Sequence, residues 1–109
     1  MANPLLDDQT VDFILHELLD VDALTSLRQY SDHSPQTLQM SLDVARRFAR
    51  EVLFPTYRLM DVEPALYKDG RVTTHPVLKK IYPQIVEAGL LNPTRPAAVG
   101  GQQLPHTVG

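Results

Sequence analysis

Apolar residues recur along this chain in three stripes of helical period. In DQTVDFILHELLDV, residues 8–21, Val11, Ile14, Leu15, Leu18 and Leu19 fall at i, i+3, i+4, i+7 and i+8, one face of a 3.6-residue helix. Asp7 or Asp8 offers a side-chain acceptor to its open N–H groups and complements the positive end of its dipole. Leu24 and Leu27 allow one more helical turn before a loop over Tyr30 to His33.

The second stripe is longer. Ser34 followed by Pro35 is a helix start, because the hydroxyl accepts from exposed amides while proline occupies a position whose N–H has no partner. Leu38, Leu42, Ala45, Ala49 and Val52 then repeat at spacings of four and three, with Phe48 beside them. Pro55 removes a backbone hydrogen bond, so this helix ends near Phe54 or kinks there. The absence of turn signals through Tyr57, Leu59 and Met60 favours a kinked helix over 35–60.

A connection follows over 61–74, with Asp69-Gly70 as a turn dipeptide that allows a short hairpin between Leu66-Tyr67 and Val72. Thr74 or His75 then precedes Pro76, a second helix start of the same kind. The third helix, 76–88, bends at Pro83 and closes at Gly89, which enters the left-handed region at no steric cost. Residues 90–109 are Pro- and Gly-rich and argue against regular structure. Three amphipathic helices without an alternating strand pattern predict an all-α fold, a small helical bundle over 1–89 with an irregular C-terminal tail over 90–109.

Composition narrows the function classes. At 109 residues and 43% apolar content the chain supports one modest core. Thirteen acidic against ten basic residues give a net charge of −3, which argues against nucleic acid as a partner. No cysteine is present, so disulfides, a thiolate nucleophile and Cys-ligated metals are excluded. The opening MANPLLDDQT lacks the basic start and apolar run of a secretory signal, and no apolar run reaches membrane-spanning length, so a cytoplasmic protein is expected.

Candidate chemistry is sparse. His16 and Asp20 stand at i, i+4, with Asp12 on the same face, and resemble half of a helical zinc site. A third ligand is wanting, since His33, His75 and His106 are scattered, and a solvated polar face is preferred. Arg46, Arg47 and Arg50 cluster on the long helix. Asp43, Arg47 and Glu51 read as an exposed salt-linked ladder, and Arg46 and Arg50 are left to meet acids of a partner domain. Tyr30, Tyr57, Tyr67 and Tyr82 read as packing residues at bundle edges. No nucleophile elbow surrounds Ser26, Ser31, Ser34 or Ser41, and Gly100-Gly101 matches neither a phosphate loop nor a dinucleotide fingerprint. No catalytic, cofactor-binding or metal residue is assigned.

Three ordered pieces resemble the N-terminal domain of flavin-dependent acyl-CoA dehydrogenases. ARRFAREVLFPTYRLMD, residues 45–61, is similar to that family's F-A-x-E-x-L-x-P helix. KKIYPQIVEAGLLNPTRPAAVGGQQLP, residues 79–105, resembles its helix, E-x-G-L turn and P-x-x-x-G-G-x-G-L passage into a middle β domain. NPLLDDQTVDFILHELL with DGRVTTHP looks like a subgroup with an extra N-terminal helix and a D-G-x-V-x-x-P insertion, which includes a methylmercaptopropionyl-CoA dehydrogenase branch. Ala97, Ala98 and Val99 depart from the acidic and aromatic residues usual before Gly-Gly, and Gln103 replaces a usual glycine.

The resemblance implies that 90–109 leads towards a β domain outside this chain. It implies FAD held by the middle and C-terminal domains, a catalytic glutamate in the C-terminal domain, and α,β-dehydrogenation of an acyl-CoA thioester. The base takes the α-proton, and flavin N5 receives the β-hydride. These residues alone are then expected to be inactive and to bind no flavin. Their expected partners are the remaining domains of the same enzyme and further copies in a homo-oligomer. The alternative reading is a stand-alone helical interaction or dimerisation module.

Overall fold

The computed structural model describes residues 5–109. Residues 1–4, which carry the start of the N-terminal extension motif, lie outside the described residues. The described residues are 58% helical with one small two-stranded antiparallel sheet. The expectation of an all-α fold is corrected by that sheet, and its cause is local. Asp69 and Gly70 both take positive φ, 52° and 74°, the backbone of a two-residue hairpin turn whose twist matches the flanking strands. Strands β1, Leu66–Lys68, and β2, Arg71–Thr73, pair in the register Leu66↔Thr73, Tyr67↔Val72 and Lys68↔Arg71.

The first helix runs as Asp8–Asp12 and continues directly through wider turns over Phe13–Leu18. Asp7 caps it, its carboxylate accepting from Gln9 N–H at 3.2 Å. It stops short of the expected residue 21 because Asp20 turns into the left-handed region at φ 48°. A tighter helix, Val21–Ser26, and a single turn, Arg28–Tyr30, fill the following segment, which extends the one turn expected around Leu24 and Leu27.

Ser34 caps the long helix as expected. Its hydroxyl accepts from Thr37 N–H and the Thr37 hydroxyl accepts from Ser34 N–H, a reciprocal capping box behind Pro35. The helix runs through Pro35–Phe48, Ala49–Leu53 and Phe54–Val62 without a break. The turns immediately before Pro55 are widened, with Phe54 N–H donating to the carbonyl of Ala49, five residues back. Widening is one way a helix accommodates a residue that has no N–H and crowds the preceding turn.

The last helix is Leu78–Glu87, with Pro83 inside it. At its end Gly89 has φ 73°, Leu90 N–H donates to Ile85 at 3.1 Å, and Gly89 N–H donates to Val86 at 3.0 Å. That pair of bonds is the Schellman closure expected of a glycine there.

Leu15, Val21, Leu38 and Leu104 form the main core cluster, with Val11, Leu24, Leu42 and Val108 packed around it. Phe48, Ile81 and Pro105 are the other buried apolar side chains among the described residues. No periodic pattern marks 90–109, yet Leu104 and Pro105 of that stretch are buried. The stretch is fastened by backbone bonds such as Leu104 N–H to Pro93 at 2.9 Å, by His33 Nε2 against the Gln102 carbonyl at 2.7 Å, and by Gln103 Nε2 donating to the Gln29 carbonyl. Gln103, where the resembled family has glycine, holds φ 54°, so the backbone there keeps the conformation glycine favours.

The molecule is extended. Its radius of gyration is 16.9 Å, against about 13 Å for a compact chain of this length. Its accessible surface is 8189 Å², against about 6,100 Å² for a compact monomer of its mass. The second half of the long helix, Phe54–Val62, contains no buried residue, and both faces of the hairpin are exposed. No helix among the described residues is long and apolar enough to cross a membrane.

Candidate functional site

His16 does not pair with Asp20. Asp20 ends the helix in the left-handed region, whereas Nδ1 of His16 faces the Asp22 carboxylate at 3.0 Å and Nε2 faces Oε1 of Gln39 at 3.2 Å. The ring therefore braces the first helix against the long one. No group of three His, Asp or Glu side chains is placed to hold a metal ion among the described residues.

The arginine cluster is arranged differently from the expected ladder. No ion pair joins Arg47 to Asp43 or Glu51 among the described residues. Asp43 instead accepts from Gln39 Nε2 at 3.0 Å and lies 3.8 Å from Arg46. Arg46 is not left for a partner domain either, since its Nη2 donates to Asp12 at 2.6 Å and its Nε lies 3.5 Å from Asp8. The sequence pattern ranks neighbours within one helix, while this arginine reaches across to the antiparallel first helix. Its side chain is 12% exposed, and Asp8 Oδ1 is buried with the Arg46 guanidinium as its compensation. Replacing Arg46 by Gln is expected to lower stability by about 1–3 kcal/mol, because three carboxylates then share no cation. Urea unfolding measures it, and an unchanged midpoint would show the network to be idle.

Tyr57, Tyr67 and Tyr82 are largely exposed, and Tyr57 touches the Phe54 ring at a centroid distance of 5.4 Å. Ser26 and Ser41 donate to the carbonyls of Ala23 and Thr37, which makes them helix-bonded hydroxyls.

One groove of about 340 Å³ lies between the long helix and the fastened tail. Met40, Val44 and Ala45 form one wall, and Leu90, Pro93 and Leu104 the other. Gly89 and Gln102 meet at its edge, where Gln102 Nε2 donates to the Gly89 carbonyl at 2.7 Å. No charged side chain lines it. Periodicity marks the long-helix wall, but the opposite wall is irregular backbone with no sequence period to reveal it.

Charge is unevenly spread. Residues 1–26 carry six acidic side chains and no Lys or Arg, and residues 27–109 carry all ten Lys and Arg residues. The exposed apolar side chains Phe13, Ile14, Leu18 and Leu19 lie on that acidic segment.

No family model and no solved structure matches the chain. Among curated proteins, 97 residues are 30% identical to 3-methylmercaptopropionyl-CoA dehydrogenase of Ruegeria pomeroyi (strain ATCC 700808 / DSM 15171 / DSS-3). The match covers 89% of this chain and 16% of that relative. The chain is thus similar, over most of its length, to about one sixth of an acyl-CoA dehydrogenase.

Proposed function

We propose that these residues are the N-terminal helical part of an FAD-dependent acyl-CoA dehydrogenase that oxidises an acyl-CoA thioester to the 2,3-enoyl-CoA. The observation that carries the reading is the 97-residue similarity to such an enzyme. It agrees with the ordered motifs at 45–61 and 79–105. Under this reading FAD, the substrate and the catalytic glutamate belong to middle and C-terminal domains of the same cytoplasmic, homo-oligomeric enzyme. The helices of this chain supply packing surface, and by themselves bind no flavin and catalyse nothing.

The excess of accessible surface supports the same conclusion, because a chain with a small core and bare apolar side chains has surface to cover. A stand-alone dimerisation module would use that surface too. Two measurements separate the readings. The DNA beyond the codon for Gly109 is expected to encode, in frame or in an adjacent gene, a β domain followed by a helical domain with a catalytic glutamate. Combined with those domains, the chain is expected to give a flavin-coloured assembly that reduces an electron-accepting dye with acyl-CoA. A neighbourhood without such domains, together with a tight dimer of the isolated chain in sedimentation, would establish the module instead.

A further inference from the structure

His75, two residues past the end of the hairpin, makes contacts that the proposed function does not use. His75 sits where the hairpin returns to the body, with a side chain 15% exposed. Its Nε2 lies 3.2 Å from Oε2 of Glu63, the residue just past the end of the long helix. Its Nδ1 accepts from Val77 N–H at 3.0 Å. The contact with Glu63 therefore closes the neck of the hairpin excursion, while the bond to Val77 fastens the turn over Pro76 and Val77 that leads into the last helix. Pro76 has no N–H, so Val77 supplies the first amide that needs an acceptor there.

We propose that His75 is a proton-sensitive clasp that fastens the turn before the last helix when neutral and releases that turn when protonated. Only the neutral ring carrying its proton on Nε2 makes both contacts as donor and acceptor: Nε2–H donates to Glu63, and the Nδ1 lone pair accepts from Val77. A proton added at Nδ1 sets two N–H groups against each other. The imidazolium gains a full ion pair with Glu63 in exchange, but that carboxylate is 72% exposed and the pair is screened. The other charged groups near the clasp in the chain, Asp61 at the long helix end, Arg71 on β2 and Lys79 and Lys80 in the first turn of the last helix, are all exposed. Acid therefore keeps the neck and loosens the turn ahead of the helix, a local opening distinct from global unfolding.

The inference is independent of the dehydrogenase reading, and NMR of the whole chain tests it. At pH about 8 the His75 Nδ1 resonance is expected at the position of an unprotonated acceptor. As pH falls to about 5, the hydrogen-exchange protection of Val77 is expected to drop by about fivefold, the loss of one hydrogen bond, in step with the His75 ring signals. His75→Asn, with a side chain suited to capping, keeps the Val77 protection and abolishes the step. Glu63→Gln retains the step. A proton on Nδ1 at pH about 8, a flat Val77 profile through the His75 titration, or a step that survives in His75→Asn would each overturn it.

Discussion

Leu38→Ala is expected to cost about 2–5 kcal/mol, the range for emptying a fully enclosed leucine site. Leu38 is 0% exposed and sits among Leu15, Val21 and Leu104, so its side chain joins the first helix, the segment after it, the long helix and the tail. Only seven apolar side chains are buried among the described residues, so little else can take up the loss. The melting temperature should fall by more than about 10 °C, since each kcal/mol is worth roughly 4–8 °C in a domain of this size. Met40→Ala is the matched control. Met40 lies two residues away on the same helix but is 66% exposed, and its truncation should cost no more than about 0.5 kcal/mol. Equal losses for the two variants would mean that the core is not organised around Leu38.

The second large effect concerns the Gly100-Gly101 pair, whose two members are glycine for different reasons. A Cβ on Gly101 would fall inside the backbone carbonyl of Arg95, a group with no side-chain freedom to move away. The neighbouring bond from Gln103 N–H to that carbonyl, 2.9 Å long, holds the tail in place. Gly101→Ala is expected to cost about 3 kcal/mol through forced backbone displacement. Gly100 has open space around the same position but φ 81°, so Gly100→Ala meets only the left-handed penalty of about 1 kcal/mol. Calorimetry of both variants measures the difference. A Gly100→Ala variant less stable than Gly101→Ala would show that backbone conformation, not close approach, governs this passage.

The same passage ties stability to function under the dehydrogenase reading. It is the stretch that resembles the family's entry into the middle β domain. A tail displaced by Gly101→Ala would also open the groove, because Leu104 and Val108 form part of its lining.

Local rules were legible wherever neighbours in sequence are neighbours in space. The Ser34-Pro35 start, the Asp69-Gly70 turn and the Gly89 stop each depend on a few consecutive residues, and each stands in the structure where those residues put it, whereas Ile14, Leu18 and Leu19 of the first stripe stay exposed. Contacts between distant segments were not legible in that way. Arg46 carries the same charge as Arg47 and lies beside it, yet only the packing of the first helix against the long one brings Asp8 and Asp12 to Arg46. Leu104 belongs to a stretch without period, and its burial follows from hydrogen bonds that fold the tail back onto the helices. The sequence by itself determined the helices, their caps and the hairpin, because backbone conformation is set by steric and hydrogen-bonding choices within a few residues. Only the tertiary structure decided which charges meet, which apolar side chains are enclosed and which stay bare, because those depend on surfaces brought together across the whole chain.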